Sequence, residues 1–191
     1  MKTSEIIILI GPPCIGKSTW IYENLNRTRY DIINRDVLVE EIAVKNGLSY
    51  DEMFSNFSKT KELQKEVDHK LNENFQNLVR NKKNIVIDMT NMSSKSRAKF
   101  IQPLKNHPDY KKIAVLFLFE EFSMNELIKL SEIRNDSLKE NGKSKTIPRP
   151  VYEKMISMFM EPSKEEGFDE IRIVNNYKDF RNLIAKNSIN D

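Results

Sequence analysis

The run Glu5-Ile6-Ile7-Ile8-Leu9-Ile10 leads without a break into Gly11-Pro12-Pro13-Cys14-Ile15-Gly16-Lys17-Ser18, and Thr19 follows. No other stretch restricts the fold as much. An unbroken apolar run of this length reads as a strand buried on both faces, the habit of a parallel sheet. The segment after it fits G-x-x-x-x-G-K-[ST], a loop whose backbone N–H groups surround phosphate oxygens. In that loop the lysine reaches the outer phosphates and the hydroxyl ligates Mg²⁺. From Ser18 to Leu25 the chain reads as a helix, whose N-terminus favours an anion. The chain has only 5 glycines, and two of them stand where the pattern needs them. Strand, loop and helix in this order predict a nucleoside-triphosphate site over residues 11–19, in preference to a glycine-punctuated turn with an incidental lysine.

Further strands are predicted at Tyr30-Asp31-Ile32-Ile33-Asn34, Ile85-Val86-Ile87-Asp88, Ile113 to Phe119 and Ile171-Arg172-Ile173-Val174. Helical stretches separate them. Val37 to Val44 is followed by Gly47, which suits a left-handed cap. Leu63, Val67, Leu71, Phe75 and Leu78 form one face of a long amphipathic helix over residues 60–81, read as a core-facing crossover. Ser49 to Phe57 is ambiguous, with a short helix as one reading. Ser93 or Ser94 is a candidate cap for a helix to about Leu104. Ser123-Met124-Asn125-Glu126 is a capping box opening another helix. Arg134 to Pro150 is polar and basic and holds Gly142, Pro148 and Pro150, which predicts a lid. Helical spacing resumes from Val151 to Met160, and a closing helix is expected from Tyr177 to Ala185. Strands alternating with helices predict an α/β fold, a parallel sheet with helices on both faces. One domain over residues 1–191 accommodates it, with no internal repeat.

Composition removes several classes of function. With 39% hydrophobic and 31% charged residues the chain reads as globular, and no apolar segment approaches membrane-spanning length. The single cysteine, Cys14, allows no intrachain disulfide, and with 2 histidines a zinc site is not expected. His69 and His107 both read as surface residues. Cys14 at a helix N-terminus has a stabilised thiolate as one reading and simple packing in the loop as the other. The run before Gly11 is too short for a signal-peptide core, so a cytoplasmic location is expected. A net charge of +3 permits a polyanionic partner without requiring one.

Phosphoryl transfer needs a phosphate cradle, a cation, an aligned acceptor and charge stabilisation on the migrating group. The loop and Lys17 supply the cradle, and Ser18 a magnesium ligand. In a sheet of this kind ligands sit beyond the carboxyl ends of the strands, where Asp36 and Asp88 fall. Asp36 is placed either as a general base or as a helix cap. Asp88 reads either as a magnesium-holding carboxylate or as a strand-end residue bonding local amides. Arg134, opening the lid, reads as an arginine finger supplied in cis or as a surface arginine.

Taken together, G-x-P-x-x-G-K-S-T-W, Ile33-Asn34-Arg35-Asp36, Asp88-Met89-Thr90-Asn91, Asn125-Glu126-Leu127-Ile128-Lys129 with Arg134, and Ile147-Pro148 resemble the kinase domain of phage polynucleotide 5′-hydroxyl kinases. Glu165-Glu166-Gly167-Phe168-Asp169-Glu170 before the last strand is similar to the wider set of kinases with that fold. The resemblance implies a three-layer P-loop kinase fold with a basic lid, ATP as phosphate donor and Mg²⁺ as cofactor. It implies a nucleic acid 5′ end as acceptor, Asp36 as the base that activates it and Arg134 as the lid arginine. The chain departs from the pattern in three places. Val39 stands where the phage enzymes carry a phosphate-gripping arginine, and Met89 intervenes before Thr90-Asn91. Cys14 and Ile15 replace small residues of the loop, which predicts a tighter cradle. Arg35, Lys95, Arg97, Lys143, Lys145 and Arg149 are candidate substitutes for the missing grip, with solvated surface charge as the favoured reading of any single one. A phosphatase-like half is not recognisable, so such an enzyme would only add phosphate. The competing expectations are a kinase of a small-molecule acceptor, which Val39 favours, and a nucleic-acid-binding module that keeps the fold without turnover.

Overall fold

Successive residues of the first strand, β1 (Ser4–Ile10), build two different cores, as a strand buried on both faces requires. The computed structural model describes residues 4–55, 57–139 and 144–188. Within them β1 lies at the centre of a sheet with β2 (Tyr30–Ile33), β3 (Asn84–Ile87), β4 (Tyr110–Phe117) and β5 (Glu170–Val174). The order is β2-β3-β1-β4-β5 and every pairing is parallel. Ile6, Ile8 and Ile10 pack on one side with Phe75 and Val79 of α4 (Phe57–Arg80) and Phe100 and Ile101 of α5 (Ser94–Ile101). Ile7 and Leu9 pack on the other. There they meet α1 (Lys17–Asn24), α6 (Met124–Lys139), α7 (Arg149–Ser157) and α8 (Tyr177–Ser188) through Ile21, Leu127, Tyr152 and Tyr177. This is the α/β P-loop kinase-like fold that the sequence predicts, with helices on both faces.

A third cluster lies beside the sheet. Leu38, Val39, Ile42 and Ala43 of α2 (Arg35–Lys45) pack on Met53 of α3 (Glu52–Ser55) and on Val67 of α4. The ambiguous stretch Ser49 to Phe57 therefore holds a one-turn helix, although Asn56 within it lies outside the described residues.

The structure redraws the expected lid. α6 continues to Lys139, so Arg134 sits on a helix and not at the start of an irregular segment. Residues 144–148 have no regular structure, and α7 begins at Arg149 with a proline in its first turn, where a missing N–H costs nothing. Gly142 and Lys143 lie outside the described residues.

Arg97 is a second correction. It is fully buried and spans Glu166, donating to both carboxylate oxygens at 2.8 and 2.6 Å and to the carbonyls of Asn91 and Met92 at 3.0 and 3.2 Å. It braces the chain after β3 and is sealed away from any phosphate. Glu166, in the family-like ending, is its counter-ion.

Candidate active site

The loop after β1 is tied to the segment after β3 by Gly11 N–H donating to Thr90 O at 3.0 Å. Gly16 caps α1 at φ 83°, and a Cβ there would come within 2.8 Å of Phe180 Cζ and 3.2 Å of Asn176 Nδ2. Both facts restrict the position to glycine. Cys14 also takes a left-handed backbone, at φ 64°, with its Sγ 3.9 Å from the Tyr152 hydroxyl. Ile15 turns inward and is 1% exposed, packed in the core with Ile7, Ile21 and Phe117. The tighter cradle expected from its size is thus not what it produces: its bulk goes into the core, away from the loop's mouth.

Lys17 is buried, and its ammonium donates to the carbonyls of Gly11 and Pro12 at 3.0 and 2.5 Å. Burial lowers its pKa from 10.5 to about 8, an effect partly offset by Asp88, Cys14 and Asp36 nearby. Beside it, Ser18 Oγ donates to Asp88 Oδ2 at 3.0 Å, and Asn34 Nδ2 donates to the same oxygen at 3.0 Å. Asp88 stands directly after β3, its backbone N–H bonded to Ile33 O at 2.9 Å, so the ends of β2 and β3 hold it in place.

Asn34 has a second role. It is the cap of α2, its side-chain oxygen accepting from Asp36 N at 2.8 Å. Asp36 is therefore in the first turn and is not the cap, which leaves its carboxylate for other partners. Tyr50 supplies one, donating to Asp36 Oδ1 at 3.0 Å. Burial first, then the Asp36 charge, pushes the Tyr50 phenol well above its ordinary pKa, so it stays protonated and donates.

Lys17, Ser18, Asp36, Asp88 and Arg134 line one cleft of about 840 Å³, together with Pro13, Cys14, Gly16 and Thr19. Arg134 reaches it from α6, with Nη2 donating to Lys145 O at 2.8 Å. Residues 144–146 cross to the opposite wall. Ser144 Oγ and Thr146 N–H donate to Asp51 at 2.6 and 3.0 Å, and the Lys145 ammonium pairs with Glu40 and stands 4.9 Å from the Tyr50 ring centroid. The other proposed grips are also engaged. Arg35 bonds Asp68 at 2.9 Å and Gln64 at 2.7 Å, and Arg149 bonds Glu153 at 2.9 Å. Lys95 is exposed and outside the cleft lining. Val39 is completely buried under α3 and α4, so that position faces the core and not the cleft.

The residues fit a magnesium-bound triphosphate. Ser18 and Asp88 form a hydroxyl–carboxylate pair of hard oxygen donors, the kind magnesium takes. The buried Lys17 ammonium is short of negative charge, and Arg134 Nε is buried without a partner among the described residues. An anion in the cleft meets both needs. Asn34 and Tyr50 were not singled out by sequence. An Asn two residues before a helical Asp is a capping signal that points to Asn34. Tyr50 carried no such signal, because its partner is met only in the fold.

Comparison with known proteins agrees with this architecture. The family model for the AAA domain, AAA_33, matches residues 6–162. Solved structures that are similar include a chain of the PezAT chromosomal toxin–antitoxin system of Streptococcus pneumoniae (TM-score 0.63, 19% identity, 93% of this chain and 70% of that one). A chain of the Pnkp1/Rnl/Hen1 RNA repair complex is similar at TM-score 0.57 and 20% identity, over 83% of this chain and 44% of that one. A gluconokinase from Sinorhizobium meliloti 1021 is similar at TM-score 0.54 and 13% identity, over 97% and 90%. At such identities these likenesses carry the fold and not the acceptor. With more than three quarters of its length matched, the chain belongs to the AAA domain family and is a P-loop kinase-like domain.

Proposed function

We propose that this protein transfers the terminal phosphoryl group of ATP to the 5′-hydroxyl of a polynucleotide. The observation that carries the reading is the gathering of Lys17, Ser18, Asp88, Asp36 and Arg134 in one cleft, with the Asp36 carboxylate spared from capping by Asn34. Asp36 accepts the proton of the attacking hydroxyl through the oxygen that Tyr50 does not hold. As the new P–O bond forms, the bond to the donor's bridging oxygen breaks. Lys17 and Arg134 stabilise the charge spread over the migrating group. Ser18 and Asp88 are the residues to hold a magnesium ion, which supplies neutralisation of the donor phosphates. The polynucleotide acceptor rests on the ordered motifs Ile33–Asp36, Asp88–Asn91 and Asn125–Arg134. Residues 144–148, with the Arg134 turn of α6 that they bond, are proposed as the lid elements of a single kinase domain.

The test is transfer of labelled γ-phosphate to a 5′-hydroxyl oligonucleotide. Asp36→Asn should lower kcat by 10²-fold or more while ATP binding persists, which is the scale of general-base catalysis. Undiminished transfer by Asp36→Asn defeats the reading. Val39, buried where a phosphate-gripping arginine was expected, favours a second reading in which the acceptor is a small hydroxyl compound. Oligonucleotides that neither accept phosphate nor compete would select it.

A further inference from the structure

The acceptor side of the cleft presents aromatic surface where the resemblance leads one to expect a cation. Position 39 is core, and the two cations near Asp36 on that side, Arg35 and Lys145, are each committed to a carboxylate, Asp68 and Glu40. What stands open there is the ring of Phe54, 48% exposed and lining the cleft. It lies against Tyr50 with ring centroids 5.1 Å apart at 52°, and the Tyr50 hydroxyl is the group that holds Asp36.

The ring is also firmly mounted. Its neighbour Met53 is fully buried between α2 and α4, and Met53 O accepts from Thr60 Oγ1 and Gln64 Nε2, both at 2.9 Å. One residue of α3 is anchored in the core, and the next faces the cleft. An exposed, well-supported aromatic ring next to a phosphoryl-accepting position has a clear chemical complement. The base of the acceptor nucleotide lies about one sugar away from its 5′-oxygen. Stacking on an aromatic ring is sequence-tolerant, because every base has a π-face.

We propose that Phe54 is the stacking surface for the 5′-terminal nucleobase of the acceptor. The inference rests on the polynucleotide reading above. Base stacking takes the place of the phosphate grip that Val39 cannot provide.

Steady-state phosphorylation of single-stranded DNA and RNA oligonucleotides of one sequence, with intact or abasic 5′-terminal nucleotides, tests this. Phe54→Ala and Phe54→Leu should each raise the acceptor KM about tenfold or more on intact ends, the scale of one stacked base. The loss should sit in KM more than in kcat. Phe54→Trp should keep KM near that of the wild-type protein. Removing the terminal base should cost the wild-type protein the same factor, and cost Phe54→Ala nothing further. Equal KM on DNA and RNA is expected from stacking alone. Transfer to oligonucleotides with KM unmoved in Phe54→Ala, or moved equally on intact and abasic ends, overturns the inference and leaves the function standing. Retention of KM by Phe54→Leu also overturns it, since an aliphatic side chain does not stack. No transfer by the wild-type protein to any oligonucleotide overturns both.

Discussion

Replacing Lys17 by methionine should make the ligand-free protein more stable while destroying its ability to hold a triphosphate. Burial lowers the ammonium from 10.5 to about 8, and each pH unit of such a shift corresponds to about 1.4 kcal/mol. Keeping the charge inside the fold at neutral pH therefore costs about 3 kcal/mol. Methionine keeps most of the stem's volume and drops the charge, but it forfeits the hydrogen bonds to Gly11 O and Pro12 O, worth about 1 kcal/mol each. The net expectation is a gain of about 1 kcal/mol at pH 7. The pH dependence is sharper. Because the folded pKa lies below the unfolded one, the unfolded chain carries the extra proton between about pH 8 and 10.5, so wild-type stability rises with pH across that window. Between pH 7.5 and 10 the linkage relation gives about 2 kcal/mol. The methionine variant lacks that proton and lacks that rise. Urea unfolding followed by circular dichroism at pH 7, 8, 9 and 10, on both proteins, measures the difference directly and cancels the other lysines. A variant less stable than wild type at pH 7, or a wild-type-minus-variant difference that stays flat to pH 10, refutes the argument that the loop holds an under-compensated charge.

Glu166→Ala should cost about 3–5 kcal/mol in urea unfolding, because it strands the fully buried Arg97 guanidinium without its counter-ion. Arg97→Met together with Glu166→Leu should recover much of that loss, and a double-mutant cycle measures the coupling. Gly16→Ala should destabilise by about 1–2 kcal/mol from its left-handed backbone alone, with more from the contact to Phe180. Adding Phe180→Ala should remove most of the contact share, leaving the backbone share and the contact to Asn176.

What was legible in the sequence is what is local in the chain. β1, the phosphate loop and α1 form one contiguous block, and each residue's role there depends on its immediate neighbours. Asp36 and Asp88 followed from a rule of parallel sheets, that strand ends carry ligands, which needs only the positions of the strands. Roles that depend on distant partners were hidden. Arg97 read as surface charge because its counter-ion, Glu166, is 69 residues away. Tyr50 lay in a stretch with no clear period, and only the connection between α2 and α3 brings it to Asp36. Ile15 misled because side-chain direction in a loop has no periodicity, so its size said nothing about which way it points. The end of α6 was missed for another reason. Arg134 to Lys139 is polar except for Leu138, so it shows no apolar stripe from which a helix could be read.

The central place of β1 in the sheet governs the order in which this protein can assemble. Ile6 pairs with Ile85 on one side and with Lys112 on the other, so the strand that carries the phosphate loop precedes both of its neighbours by roughly 75 residues or more and must wait for them. Until β3 has left the ribosome, Ile6-Ile7-Ile8-Leu9-Ile10 has no strand to pair with, and an unpaired apolar strand with no charge in it is an aggregation hazard. Contacts so far apart in sequence also slow folding, since the long loop must close before the pairing rewards it. Nucleotide binding is therefore a late event in the life of the chain, and ATP present during refolding should improve the yield by trapping the completed sheet and not by speeding its formation.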